Sequence, residues 1–182
     1  MMSGAAFYDL EQIDQIAVNL FYGWGYNFYR VENQVRHDDL TVREKVSWLL
    51  GQCRSVVDEQ ERAYRRRSLP LPTREKPLPD PAAVEAAKAL EGLSAAIGRL
   101  EGTIRSLPAP ETDRMTQRYR DELEMLVKLR EHDCHLVGRA QMLVDMVAGK
   151  DHAWMLENMV QLRQGLALMA EDVQARQAAL MA

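Results

Sequence analysis

Apolar residues recur at alternating steps of three and four along nearly the whole chain, the mark of helices that each bury one stripe. The first stripe runs Ile13, Ile16, Leu20, Trp24, Phe28, Val31 and Val35; the second runs Val42, Val46, Leu49, Cys53 and Val56 toward Ala63. Thr41, with Glu44 three residues on, has the spacing of a capping box and predicts where the second helix starts. A third stripe, Val84, Ala87, Leu90, Leu93, Ile97, Leu100, Ile104 and Leu107, follows Asp80–Pro81. Aspartate suits an N-cap, and proline suits the first helical position, where its missing N–H costs nothing.

Pro108 and Pro110 close the third helix, and a fourth is predicted over residues 111–148. Gly149-Lys150-Asp151 then supplies a glycine stop and a fresh N-cap, so a fifth helix turns straight back with Met155, Met159, Leu162, Leu166, Met169, Val173 and Leu180 inward. No segment alternates with the period of a strand.

Residues 68–81 hold five of the seven prolines, a density that forbids helix and predicts an extended linker. Such a segment spans roughly 40 Å, enough to carry the chain back along a full helix. The expected fold is therefore all-α: an elongated antiparallel bundle of about five long helices, packed in coiled-coil fashion. Residues 1–67 form an N-terminal helical hairpin, 68–81 the proline-rich linker, and 82–182 a three-helix segment packing on the hairpin as one domain. The fourth and fifth helices form a second hairpin. Gly98 and Gly102, one turn apart on the third helix, predict a smooth face for close helix approach.

Composition narrows the function classes. A net charge of -4 argues against a dedicated nucleic-acid binder, which carries a basic domain. No apolar stretch is long enough to span a membrane, and the N-terminus lacks the basic and apolar regions of a secretory leader. Cys53 and Cys134 stand alone, which fits buried thiols in a reducing, cytoplasmic setting rather than a disulfide framework.

Three local features carry candidate chemistry. The first is Phe21-Tyr22-Gly23-Trp24-Gly25-Tyr26-Asn27-Phe28-Tyr29, where six of the twelve aromatic residues crowd together. Read as helix, Phe21, Trp24 and Phe28 continue the core stripe, while Tyr22, Tyr26 and Tyr29 make a second face. That face, with Trp24, is a candidate partner-binding surface, since Tyr and Trp dominate binding hot spots. The glycines at 23 and 25 each cost about 1 kcal/mol inside a helix, so the reading requires a kink or a close approach.

The second feature is Glu131-His132-Asp133-Cys134-His135. His132 and His135 are three apart and Glu131 and His135 four apart, so Glu131, His132, Cys134 and His135 are candidate metal ligands. Asp133 falls on one version of the core stripe, which points instead to a buried polar network or solvated residues here. Neither the His-Glu-x-x-His motif nor the Glu-x-x-His of di-iron bundles occurs. The third feature is the basic run Arg62, Arg65, Arg66 and Arg67, which suits the C-terminal end of a helix dipole and is also a candidate dock for an acidic partner. With Arg74 and Lys76 it admits a minor reading as a nucleic-acid module with salt-sensitive binding.

Eight of the ten methionines lie from Met115 onward, as adaptable fillers of a core or a permissive groove. No nucleophilic triad or phosphate loop is legible. The sequence thus points to a non-enzymatic interaction protein (an adaptor, assembly factor or accessory subunit) that contacts a protein partner and self-associates, with no cofactor. The alternative is a bundle holding a metal, a haem or an apolar ligand at Glu131–His135 or in a pocket near Trp24.

Overall fold

A computed structural model describes residues 7–24, 35–74, 77–107 and 123–181. Among them are six helices and no strand: α1 (Leu10–Phe21), α2 (Val35–Ser68), α3 (Pro81–Ser106), α4 (Leu123–Val147), α5 (His152–Glu157) and α6 (Met159–Met181). No helix among the described residues is long and apolar enough to cross a membrane.

The expected all-α bundle is present, with α2, α3, α4 and α6 at its centre. The α2/α3 pair is antiparallel: Arg65 reaches Glu91 at 2.8 Å near one end, Ser94 donates to Asp58 further along, and Arg43 donates to the Leu107 carbonyl at the other end. The proline segment thus joins adjacent antiparallel helices and makes no long crossover. The α4/α6 pair is also antiparallel, with Arg139 paired to Asp172 and Asp133 to Arg176. Across the bundle α2 runs parallel to α4, and α3 parallel to α6.

The stripes meet as one core. Val42, Val46, Leu49 and Cys53 of α2 are fully buried, as are Leu90 and Ile104 of α3, Val137 and Met142 of α4, and Leu162 and Met169 of α6. Burying each such side chain stabilises the fold by about 1.5–3 kcal/mol, before the entropy of ordering the chain is counted.

Helix ends follow local chemistry. Asp80 accepts from Ala82 N at 3.2 Å with Pro81 opening α3, as the sequence predicts. Gly149 adopts φ +66° past the end of α4, and the Asp151 carboxylate accepts from Trp154 N at 2.9 Å. The fifth helix is broken into α5 and α6 at Asn158, whose side-chain amide donates to the Trp154 carbonyl at 2.8 Å. Thr41 does not cap α2: the helix begins at Val35, and the Thr41 hydroxyl bonds back to the His37 carbonyl at 2.8 Å from a helix interior.

The first helix departs most from its prediction. It stops at Phe21 because Tyr22 (φ -61°, ψ 120°) and Gly23 (φ +82°) form a type II turn closed by Trp24 N donating to Phe21 O at 3.1 Å. That turn needs positive φ at its third residue, so Gly23 terminates the helix and is not a strained interior glycine. Nor does α1 form a hairpin with α2; it packs chiefly on α4. Gly138 makes this possible, since a Cβ there would meet the Ile13 carbonyl oxygen at 2.5 Å. Likewise Gly165 of α6 receives the fully buried Phe7 ring, where a Cβ would meet its Cζ at 2.7 Å. The close-approach glycines are therefore 138 and 165. Gly98 admits only the Arg54 side chain, and Gly102 faces open space.

Candidate functional site

Two places in the bundle gather unusual side chains. The first lies where the chain leaves α1. Trp24 comes off the type II turn onto Trp48 of α2, with ring centroids 6.3 Å apart and planes at 48°. Lys45, one helical turn before Trp48, places its ammonium 3.9 Å from the Trp24 centroid and 4.6 Å from that of Trp48. The electron-rich ring faces attract the cation, and the rings cover it so well that Lys45 is buried. Loss of water pushes the Lys45 ammonium below its ordinary pKa.

The outer surfaces of this clamp remain in solvent: Trp24 is 44% exposed, Trp48 50% and the adjoining Tyr22 91%. Leu40, two turns before Trp48 on the same stripe of α2, is also exposed. Of the aromatic cluster, Phe21 is core as its stripe predicts, and of the candidate partner residues Tyr22 faces solvent and Trp24 is half-buried; Tyr26, Phe28 and Tyr29 lie outside the described residues. Trp48 and Lys45 escaped the sequence reading. The available signal was a tryptophan one step off the inward stripe of α2.

The basic run sits as its position suggests. Arg65, Arg66 and Arg67 are exposed in the last turn of α2, and Arg65 pairs with Glu61 and with Glu91 of α3. Part of its charge is therefore spent within the fold.

The second place is the seam between α4 and α6, which holds two polar centres. In one, Arg176 of α6 is only 1% exposed and donates to Asp133 of α4 and to Asp39 of α2, each at 2.6 Å. Arg43 extends the chain by pairing with the other oxygen of Asp39. This is the buried polar network that Asp133 foreshadowed, and it ties three helices together.

About one turn away, His132 and His135 of α4 face Asp172 of α6, with one potential ligand atom from each lying within 4.8 Å of the others. Asp172 accepts from Arg139 through Oδ2, and Arg139 also donates to the Phe7 carbonyl at 3.3 Å. Asp14 of α1 stands 3.8 Å from His135 Nε2. His132 Nδ1 is buried without a hydrogen-bond partner. Burial lowers the His132 pKa, outweighing the carboxylates of Asp172, Asp133 and Glu131, and it raises that of Asp172 despite Arg139.

Of the four candidate ligands, His132 and His135 are brought together. Glu131 is exposed and Cys134 buried, and neither joins the cluster. Burial pushes both thiols, Cys53 and Cys134, up to about 12, which keeps them protonated. Asp172 was missed because a single aspartate between Met169 and Val173 in an apolar stripe carries no signal without its partner helix.

A groove of about 730 Å³ separates α3 from α6, where Gly92, Ala96, Ala167 and Ala170 leave room beside Leu100 and Leu166. Arg99 and Arg163 add positive charge to its lining, which contains no histidine and does not include Trp24. No protein-family model, curated protein or solved structure matches the chain.

Proposed function

We propose that this chain is a non-enzymatic helical-bundle protein that acts by contact with a protein partner, and that Tyr22, Trp24 and Trp48 form the contact surface. The observation that carries this reading is the clamp: two half-exposed tryptophans fixed over a buried ammonium beside a tyrosine at 91% exposure. Other large apolar residues, among them Tyr8, Leu71, Leu78 and Val160, are also exposed, but the two tryptophans here lie against each other and against a shared cation. Rigid aromatic surface suits binding, because little side-chain entropy is lost when a partner covers it. The partner it fits presents apolar or aromatic side chains to the ring faces, and a second copy of this chain is one such partner. The pair of buried free thiols supports a reducing, cytoplasmic setting.

The test is affinity capture from the native cell with the wild-type chain and with Trp48→Ser, after circular dichroism shows equal helicity. Loss of specific proteins with the variant supports the reading, whereas an unchanged set refutes it. Sedimentation velocity of the same two proteins reads self-association: wild type above monomer mass with the variant at monomer mass identifies the second copy as the partner.

A further inference from the structure

We infer that His132, His135 and Asp172 hold one divalent transition-metal ion, zinc before ferrous iron, at the seam of α4 and α6. The inference is independent of the partner surface.

Two imidazoles and a carboxylate meet here from two helices, and no hydrogen bond joins them. Polar groups gathered inside a bundle ordinarily pair with one another, as Arg176 pairs with Asp133 and Asp39 one turn away. These three instead converge on a common point, and the buried His132 Nδ1 has no protein partner. Donors around a zinc ion with bonds of about 2.0–2.2 Å lie roughly 3.3 Å apart, so atoms already within 4.8 Å of one another need move only about 1.5 Å or less to surround an ion.

The surroundings fit a metal ligand set. Arg139 holds Asp172 by Oδ2, leaving Oδ1 as the ligating oxygen. Asp14, 3.8 Å from His135 Nε2, is placed to orient that ring, the usual role of a carboxylate behind a ligating histidine. Two neutral nitrogens and one carboxylate oxygen make a borderline donor set, shared by three-ligand zinc sites and two-histidine, one-carboxylate iron sites. Intrinsic affinity in such a site favours zinc over ferrous iron. A bound ion would cross-link α4 to α6 and leave at least one coordination position for water.

The experiment is calorimetric titration of the metal-free full chain with zinc chloride, and anaerobically with ferrous sulfate, alongside cobalt(II) titration followed by visible absorption. The expected result is one equivalent bound, tighter for zinc, with cobalt giving the bands of a low-coordinate nitrogen–oxygen site. His132→Ala and Asp172→Asn each weaken binding by about 100-fold or more, and Asp14→Asn by about 10-fold. His135→Gln, a change at a half-buried position, gives the same loss should a buried variant fail to fold. Glu131→Gln and Cys134→Ser leave affinity unchanged. Absence of stoichiometric binding by any of the three ions overturns the site. Retained affinity in His135→Gln, or loss in Cys134→Ser, also overturns it.

Discussion

The α4/α6 seam carries two polar centres about one turn apart, one closed and one open. Around Arg176, opposite charges meet directly and the guanidinium is shared by Asp133 and Asp39 at 2.6 Å. Around Asp172, two imidazoles and a carboxylate approach one another, with Arg139 bonded to Asp172 and Asp14 beside His135. The difference lies in the residues offered. A guanidinium has five donors and can pair with two carboxylates at once, whereas two imidazoles beside a carboxylate with one oxygen engaged by Arg139 gather atoms that are themselves metal ligands. The closed centre ties three helices together; the open one is where the metal ion is inferred.

The largest effect should come from breaking the closed centre. Asp133→Ala leaves Arg176 with a buried charge only partly compensated, and should cost about 3–5 kcal/mol, read as a lower urea midpoint. Replacing the ionic group as a whole, with Arg176→Met, Asp133→Leu and Asp39→Leu together, should cost far less than the single change, because no buried charge is stranded.

The open centre should respond to ligand instead. Zinc at about 100 times its dissociation constant should stabilise the wild-type chain by about 2.7 kcal/mol. His135→Gln should show no such gain, and differential scanning calorimetry compares the two directly. Smaller again is the seat of α1 on the same helix. Gly138→Ala should cost about 1–3 kcal/mol, since its Cβ would meet the Ile13 carbonyl at 2.5 Å. Gly102→Ala, with nothing within 4 Å, should gain up to about 1 kcal/mol from helix propensity alone. The pair read by thermal melting separates packing from propensity.

Much of the architecture was legible because it is written locally. Asp80–Pro81 and Gly149–Asp151 mark their helix ends by chemistry that needs no tertiary context, and the stripes of α3 and α6 name the core directly. The end of α1 was not legible. Phe21, Trp24 and Phe28 keep helical spacing through a segment where Gly23 takes φ +82°, and periodicity does not register a turn that happens to preserve the spacing. The choice of α4 as the partner of α1 was hidden too, because Gly138 and Gly165 look like any helical glycine until Ile13 and Phe7 arrive beside them. In the candidate metal set, adjacent residues point about 100° apart on a helix. His132 and His135 therefore turn to α6, while Glu131 faces solvent and Cys134 the core, although all four sit within five positions.

A last effect, confined to alkaline pH, concerns that cysteine. Its thiol and that of Cys53 are raised to about 12 from an ordinary 9.0, so at pH 8 the thiolate fraction is on the order of one in ten thousand. A thiol-specific reagent should label neither residue in the native state and both in urea. Because the folded values lie above the unfolded ones, these groups favour the fold below pH 9.0 and lose that contribution as pH rises toward 12. A chemical-denaturation series from pH 8 upward checks the sign.

X-ray absorption at the zinc edge, on the full chain loaded with one equivalent, addresses the open centre most directly. A first shell of nitrogen and oxygen alone, at about 2.0–2.2 Å and with imidazole scattering from two rings, is the expected spectrum. A sulfur at about 2.3 Å would bring Cys134 into the site and contradict the His132–His135–Asp172 assignment.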